Sequence, residues 1–117
     1  MSEPSDRPPR EARAEPRRRA LLAGALVYGA AELTLECAIS DLSRGGARVR
    51  LKGAEPLIAP IYLVDLTHGL AYRTRQVWRR DQLVGLAFEE RFDLRQPPPE
   101  LPRIVRQLWV DHSRQGL

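Results

Sequence analysis

Residues 37–51 read CAISDLSRGGARVRL, and the fold is decided by how that stretch is read. In its second half Ala47, Val49 and Leu51 alternate with Arg48, Arg50 and Lys52. Side chains of a strand point to opposite faces in turn, so this period of two predicts a half-buried strand with a solvated basic face. Upstream the same period runs back through Ile39, Cys37, Leu35 and Leu33, set against Ala38, Glu36, Thr34 and Glu32. Residues 41–46 lie between the two runs and hold Asp41, Ser43 and two glycines, the residue types that close tight turns and supply unusual φ values. Strand, turn, strand is the reading. The turn places a carboxylate, a hydroxyl and a bare backbone close together, a set that suits the edge of a polar ring.

Further strands follow outward from this hairpin. Residues 20–30, ALLAGALVYGA, read as a strand before Gly29, although Ala and Leu also allow a helix. Downstream, Gly53 and Pro56 mark a loop, residues 61–66 read as a mostly apolar strand, and Thr67, His68 and Gly69 make a tight turn. Residues 70–79 alternate again, with Tyr72, Thr74, Gln76 and Trp78 expected on one face. Arg80 and Asp81 fit a hairpin turn, and residues 83–88 complete the hairpin. Gly85 inside that strand signals a bulge or a close backbone approach. After the proline run at 96–101, Ile104, Val105, Leu108 and Trp109 recur at helical spacing, with Pro102 suited to a helix start. The expected fold is mainly β: a small six-stranded antiparallel β-barrel with a C-terminal α-helix. The expected divisions are a flexible tail at 1–12, the barrel with its Arg-rich lead-in at 13–95, a proline-rich linker at 96–101, and the helix and tail at 102–117.

At 117 residues, 43% apolar and 29% charged, the chain has the balance of one globular domain. No apolar run is long enough to span a bilayer and the N-terminal stretch is polar and Arg-rich, so a cytoplasmic location is expected. The single Cys37 excludes an internal disulfide and reads as a small buried hydrophobe. With one Cys and only His68 and His112, no metal site is expected; His68 reads as a plain turn residue. No nucleophile–base pair stands out, so no catalytic residue and no cofactor are expected. The net charge of +4 comes almost wholly from Arg, Lys52 being the only lysine, and planar guanidinium groups favour phosphate or base-edge recognition.

Residues 13–19 read RAEPRRR, so that Arg13 and Arg17 stand four apart, and Asp41, Ser43 and Gly46 follow in the spacing D-x-S-x-x-G. R-x-x-x-R followed by strands and then D-x-S-x-x-G resembles the PilZ domain, a family of bacterial receptors for cyclic di-GMP. Trp78 before a hairpin, with Gly85 and Phe88 in the last strand, is similar to the closing hairpin of that family. The resemblance covers residues 13–90 and implies a stand-alone, non-enzymatic receptor with no catalytic or transmembrane segment attached. It implies that Arg13 and Arg17 take guanine edges and phosphates, with Arg18 as a third cation, and that Asp41, Ser43 and Gly46 form the rigid half of the site. A guanidinium forks onto a phosphate or onto the O6/N7 edge of guanine, and a carboxylate accepts from its N–H groups. Binding then orders the 13–17 segment onto the barrel and changes a surface that meets a protein partner, with motility or polysaccharide output.

Two other readings of the chain stand beside this one. A PilZ-like interaction module that binds no nucleotide usually has degraded signature residues; here they are intact, which counts against that reading. A nucleic-acid-binding barrel is permitted by the basic charge and the architecture, but such proteins usually interleave exposed aromatics with basic residues, and the chain is 6% aromatic with Trp78 read as a barrel core or rim residue and Trp109 as the helix's packing anchor.

Overall fold

A computed structural model describes residues 21–115. In chain order the elements are β1 (Leu22–Tyr28), β2 (Leu33–Leu42), β3 (Gly46–Leu51), β4 (Ile61–Asp65), β5 (Leu70–Arg80), β6 (Leu83–Asp93) and α1 (Arg103–Gln115). Every strand pairing is antiparallel, and the sheet closes in the order β1-β2-β3-β6-β5-β4, with β4 returning to β1. The six-stranded barrel with one C-terminal helix is therefore as expected. The tail at 1–12 and the arginines at 13, 17 and 18 lie outside the described residues. Among the described residues no helix is long and apolar enough to cross a membrane.

Two apolar clusters share the barrel wall. The interior holds Leu26, Ile39, Val49, Leu63, Val84 and their neighbours, with Tyr72 stacked on Phe88 at 3.9 Å between ring centroids. The second cluster lies outside the barrel and under α1. There Val27, Val64, Ala71 and Phe92 meet Leu101, Val105, Leu108 and Trp109. β1 therefore buries both faces, Leu26 inward and Val27 under the helix, which is why its sequence runs apolar without alternating. Leu101, at the end of the proline run, is buried in the same cluster.

β6 runs to Asp93, past the expected end at Phe88, although its continuation is Glu-Glu-Arg. The two glutamates have partners on β5: Arg73 reaches Glu90 at 3.0 Å and Glu89 at 3.7 Å, and Arg75 reaches Glu89 at 3.8 Å. Cross-strand pairing thus carries a ladder that apolar patterning did not mark.

The β4–β5 turn is held by a carboxylate with no exposure at all. Asp65 Oδ1 accepts the backbone N–H groups of Thr67 (3.0 Å) and His68 (3.1 Å), and His68 Nδ1 donates to Asp65 Oδ2 at 2.7 Å. His68 is thus the partner of a buried acid rather than a plain turn residue. Arg95 ties this turn to the helix, donating to the His68 carbonyl at 3.0 Å with its guanidinium 5.2 Å from the Trp109 ring centre. A hydrogen bond to a charged group contributes about 1.5–3 kcal/mol. Asp65→Ala is expected to lower the unfolding free energy by roughly 3 kcal/mol or more in urea titration, and Asp65→Asn, which keeps an oxygen for the two amides, by less.

Cys37 faces the barrel interior, where burial pushes its thiol up to about 12 from an ordinary 9.0. Only the thiolate is nucleophilic, so the native protein should resist a disulfide reagent at pH 8 and react on unfolding. Its folded value is raised, so its contribution to stability is complete below pH 9.0 and is lost as the pH climbs toward about 12.

Candidate functional site

Strict alternation along β2 would carry Asp41 into the barrel after Cys37 and Ile39. The ladder prevents it. Ile39 pairs with Val49 and Asp41 with Arg48, so Ser40 and Asp41 together face one residue of β3. This bulge turns Asp41 to the outer wall beside Arg48, where it is only 6% exposed. Arg48 Nη2 lies 3.5 Å from Asp41 Oδ2. Its Nε donates to Ser40 Oγ at 3.4 Å, and Ser40 Oγ donates to the Arg48 carbonyl at 3.1 Å.

β2 continues through Leu42, so the turn proper is shorter than residues 41–46. Ser43 closes it, donating to the Gly46 carbonyl through its N–H at 2.9 Å and its hydroxyl at 3.3 Å. Among the described glycines only Gly29 and Gly69 have positive φ, so the unusual φ expected of this turn is absent. Gly46 is needed for a different reason. A Cβ there would run into the Leu86 carbonyl oxygen of β6, so the close pairing of β3 with β6 requires glycine.

The facing wall comes from a second bulge. Gln76 pairs with Leu86 and Trp78 with Gly85, leaving Val77 as the extra residue of β5. The single face expected for Tyr72, Thr74, Gln76 and Trp78 is not kept: Tyr72 and Thr74 are buried, whereas Gln76, ahead of the bulge, and Trp78, after it, are exposed. Trp78, 43% exposed, is at the barrel rim, and its indole lies in the space that a side chain at Gly85 would occupy. The close approach anticipated at Gly85 is therefore to this ring.

Asp41, Ser43, Gly46, Arg48, Trp78 and Gly85 line one cleft of about 220 Å³ on the β2–β3–β6–β5 wall. α1 covers the opposite wall, packing on β4 and β1. The three site residues expected within the described chain, Asp41, Ser43 and Gly46, are thus brought together. Sequence reasoning read Arg48 with Arg50 and Lys52 as a solvated strand face, with an anion-binding surface as the alternative, and did not place Trp78 in the site; Gly85, directly across the β5–β6 ladder, was the available signal for the indole. The cleft offers a carboxylate, a guanidinium, a hydroxyl and a flat aromatic face. It is smaller than the roughly 300–1,000 Å³ that encloses a drug-sized ligand, so these walls alone would cover only part of a dinucleotide. Among the described residues no group of three or more His, Cys, Asp or Glu could hold a metal ion.

Gly85→Val should lift the indole off the strand. In a Trp109→Phe background, acrylamide quenching of Trp78 fluorescence is expected to rise while the thermal transition of the barrel persists.

The PilZ domain family matches residues 11–106, a range that takes in Arg13 and Arg17, both walls of the cleft and the start of α1. A search of curated proteins finds no match to the chain. With most of its length matched, and with D-x-S-x-x-G set in the β2–β3 hairpin of a closed six-stranded barrel, the chain belongs to the PilZ domain family of non-enzymatic, cyclic di-GMP-binding domains.

Proposed function

We propose that this chain is a non-enzymatic receptor for cyclic di-GMP, acting in the bacterial cytoplasm. One guanine lies against the Trp78 indole with its N–H edge toward Asp41. Arg13, Arg17 and Arg18 close over the phosphates and the remaining base edges. Ser43 and Gly46 shape the floor, and Ser43 exchanges its turn contact with Gly46 for one to the ligand. The closed complex presents a new surface to a protein partner.

The observation that carries this reading is the pair of bulges that set Asp41 and Trp78 on facing walls of one cleft. A carboxylate accepts from the adjacent N1–H and N2–H₂ donors of guanine, and an aromatic face stacks on any purine, worth about 1–3 kcal/mol per base. Ordering backbone costs about 1–2 kcal/mol per residue, so closing a segment over the ligand offsets part of the contact energy and leaves the complex switchable. A nucleic-acid reading would require a row of exposed aromatics, and the cleft has one.

Calorimetric titration with cyclic di-GMP tests the reading. Binding is expected, weakened roughly 10- to 100-fold by Asp41→Ala or Arg17→Ala, and unchanged by Arg114→Ala on the exposed face of α1. Trp78→Ala should weaken binding as well. Absence of heat at tens of micromolar ligand would sink the proposal and leave an interaction module that binds no nucleotide.

A further inference from the structure

We propose that Arg48 is a further ligand-binding residue, holding Asp41 with one edge of its guanidinium and taking a phosphate oxygen of the ligand with the other. This rests on the cyclic di-GMP reading and adds a cation to the rigid half of the site.

The three basic side chains on the outer face of β3 have different surroundings. Lys52 pairs with Glu36 at 2.6 Å, both largely exposed, and Arg50 points to solvent. Arg48 alone lines the cleft, with its side chain 37% exposed. The β2 bulge accounts for the difference, since it sets Ser40 and Asp41 together opposite Arg48. Ser40 grips the Arg48 backbone and receives Nε, and Asp41 receives Nη2. Both guanidinium contacts use the same edge of the planar group. A guanidinium carries five N–H donors in a fixed fork, so the second edge, formed by Nη1 with the outer hydrogen of Nη2, remains for an acceptor. No described residue takes Nη1.

Two features favour an anion as that acceptor. The fork matches phosphate oxygens in a way that a lysine ammonium does not. The Arg48–Asp41 separation of 3.5 Å is also longer than the about 2.7–2.9 Å of a tight charge-assisted bond, so the pair leaves the guanidinium with capacity for a closer anionic acceptor. Arg48 would then touch the phosphate while still orienting the carboxylate that reads the base. That arrangement couples recognition of the base to recognition of the backbone beside it.

The full chain is titrated with cyclic di-GMP as wild type, Arg48→Ala, Arg48→Lys, Ser40→Ala and the Ser40→Ala/Arg48→Ala pair, with thermal unfolding run on each. The ³¹P resonances of the bound ligand are recorded alongside, because they report the phosphate and are insensitive to a merely structural role. Arg48→Ala is expected to weaken binding roughly 10- to 100-fold and to shift a bound ³¹P resonance. Arg48→Lys should restore folding and only part of the affinity. Ser40→Ala should weaken binding by a few-fold, an effect that vanishes in the double variant because Ser40 acts through Arg48. Wild-type affinity in Arg48→Ala, full recovery in Arg48→Lys, or lost affinity with unmoved ³¹P resonances would each overturn the assignment. Wild-type protein that gives no heat overturns the cyclic di-GMP reading itself, whereas a binding wild type with an indifferent Arg48→Ala overturns only the role of Arg48.

Discussion

The pairing of Asp41 with Arg48, one step out of the register set by Ile39 and Val49, is the constraint on which the site depends. Side-chain direction in a strand is fixed by parity, so a single extra residue moves everything after it to the other face. Without the bulge at Ser40, the Asp41 carboxylate would point into an apolar interior built from Leu26, Ile39 and Val49. Burying an unpaired charge there would be costly enough to displace either the ladder or the charge. The second bulge, at Val77, does the same for Trp78 on the facing wall. Of the three departures from regular pairing in the sheet, these two give the barrel surface a cleft with chemically different sides.

The rest of the molecule holds that wall steady. The interior cluster packs behind β2, β3, β5 and β6, and α1 seals the outer faces of β1 and β4 on the far side. The Asp65 turn, Arg95 and Trp109 join the helix to the barrel away from the cleft. Gly46 and Gly85 belong to the support as much as to the site. The first admits the β6 backbone and the second admits an indole.

Much of this was legible in the residues. Alternation in 47–52, turn chemistry at 67–69 and 80–81, and helical spacing from Ile104 gave the barrel and its helix, because each rests on a local period. The nearness of Asp41, Ser43 and Gly46 was legible too, because the three lie within six positions around one turn, and they line one cleft. What escaped depends on partners distant in sequence. The β2 bulge has no local mark, and Gly85 signalled a bulge or a close approach without saying that the extra residue is Val77 of β5, so the sidedness of Asp41 and of Trp78 could not be read. Arg48 looked like one of three equivalent basic residues until β2 was laid beside it. The charged continuation of β6 looked like a strand end because its stabilising arginines sit on β5. His68 looked idle although its partner Asp65 is only three residues away, because the burial of that acid is set by the closed barrel and not by the local sequence.

The barrel does not close along its whole length. β4 pairs with β5 only as far as Ile61 with Thr74, and beyond that point β5 has β6 on one side and no described strand on the other. Residues 75–80 therefore carry a row of main-chain donors and acceptors of the kind that templates pairing with another polypeptide. Three of those six residues are arginines, and Val77 breaks the even spacing that an added strand would need to match. The irregularity that aims Trp78 into the cleft thus also makes this margin of the hairpin a poor template for intermolecular β-sheet, which guards the exposed edge beside the cleft against aggregation.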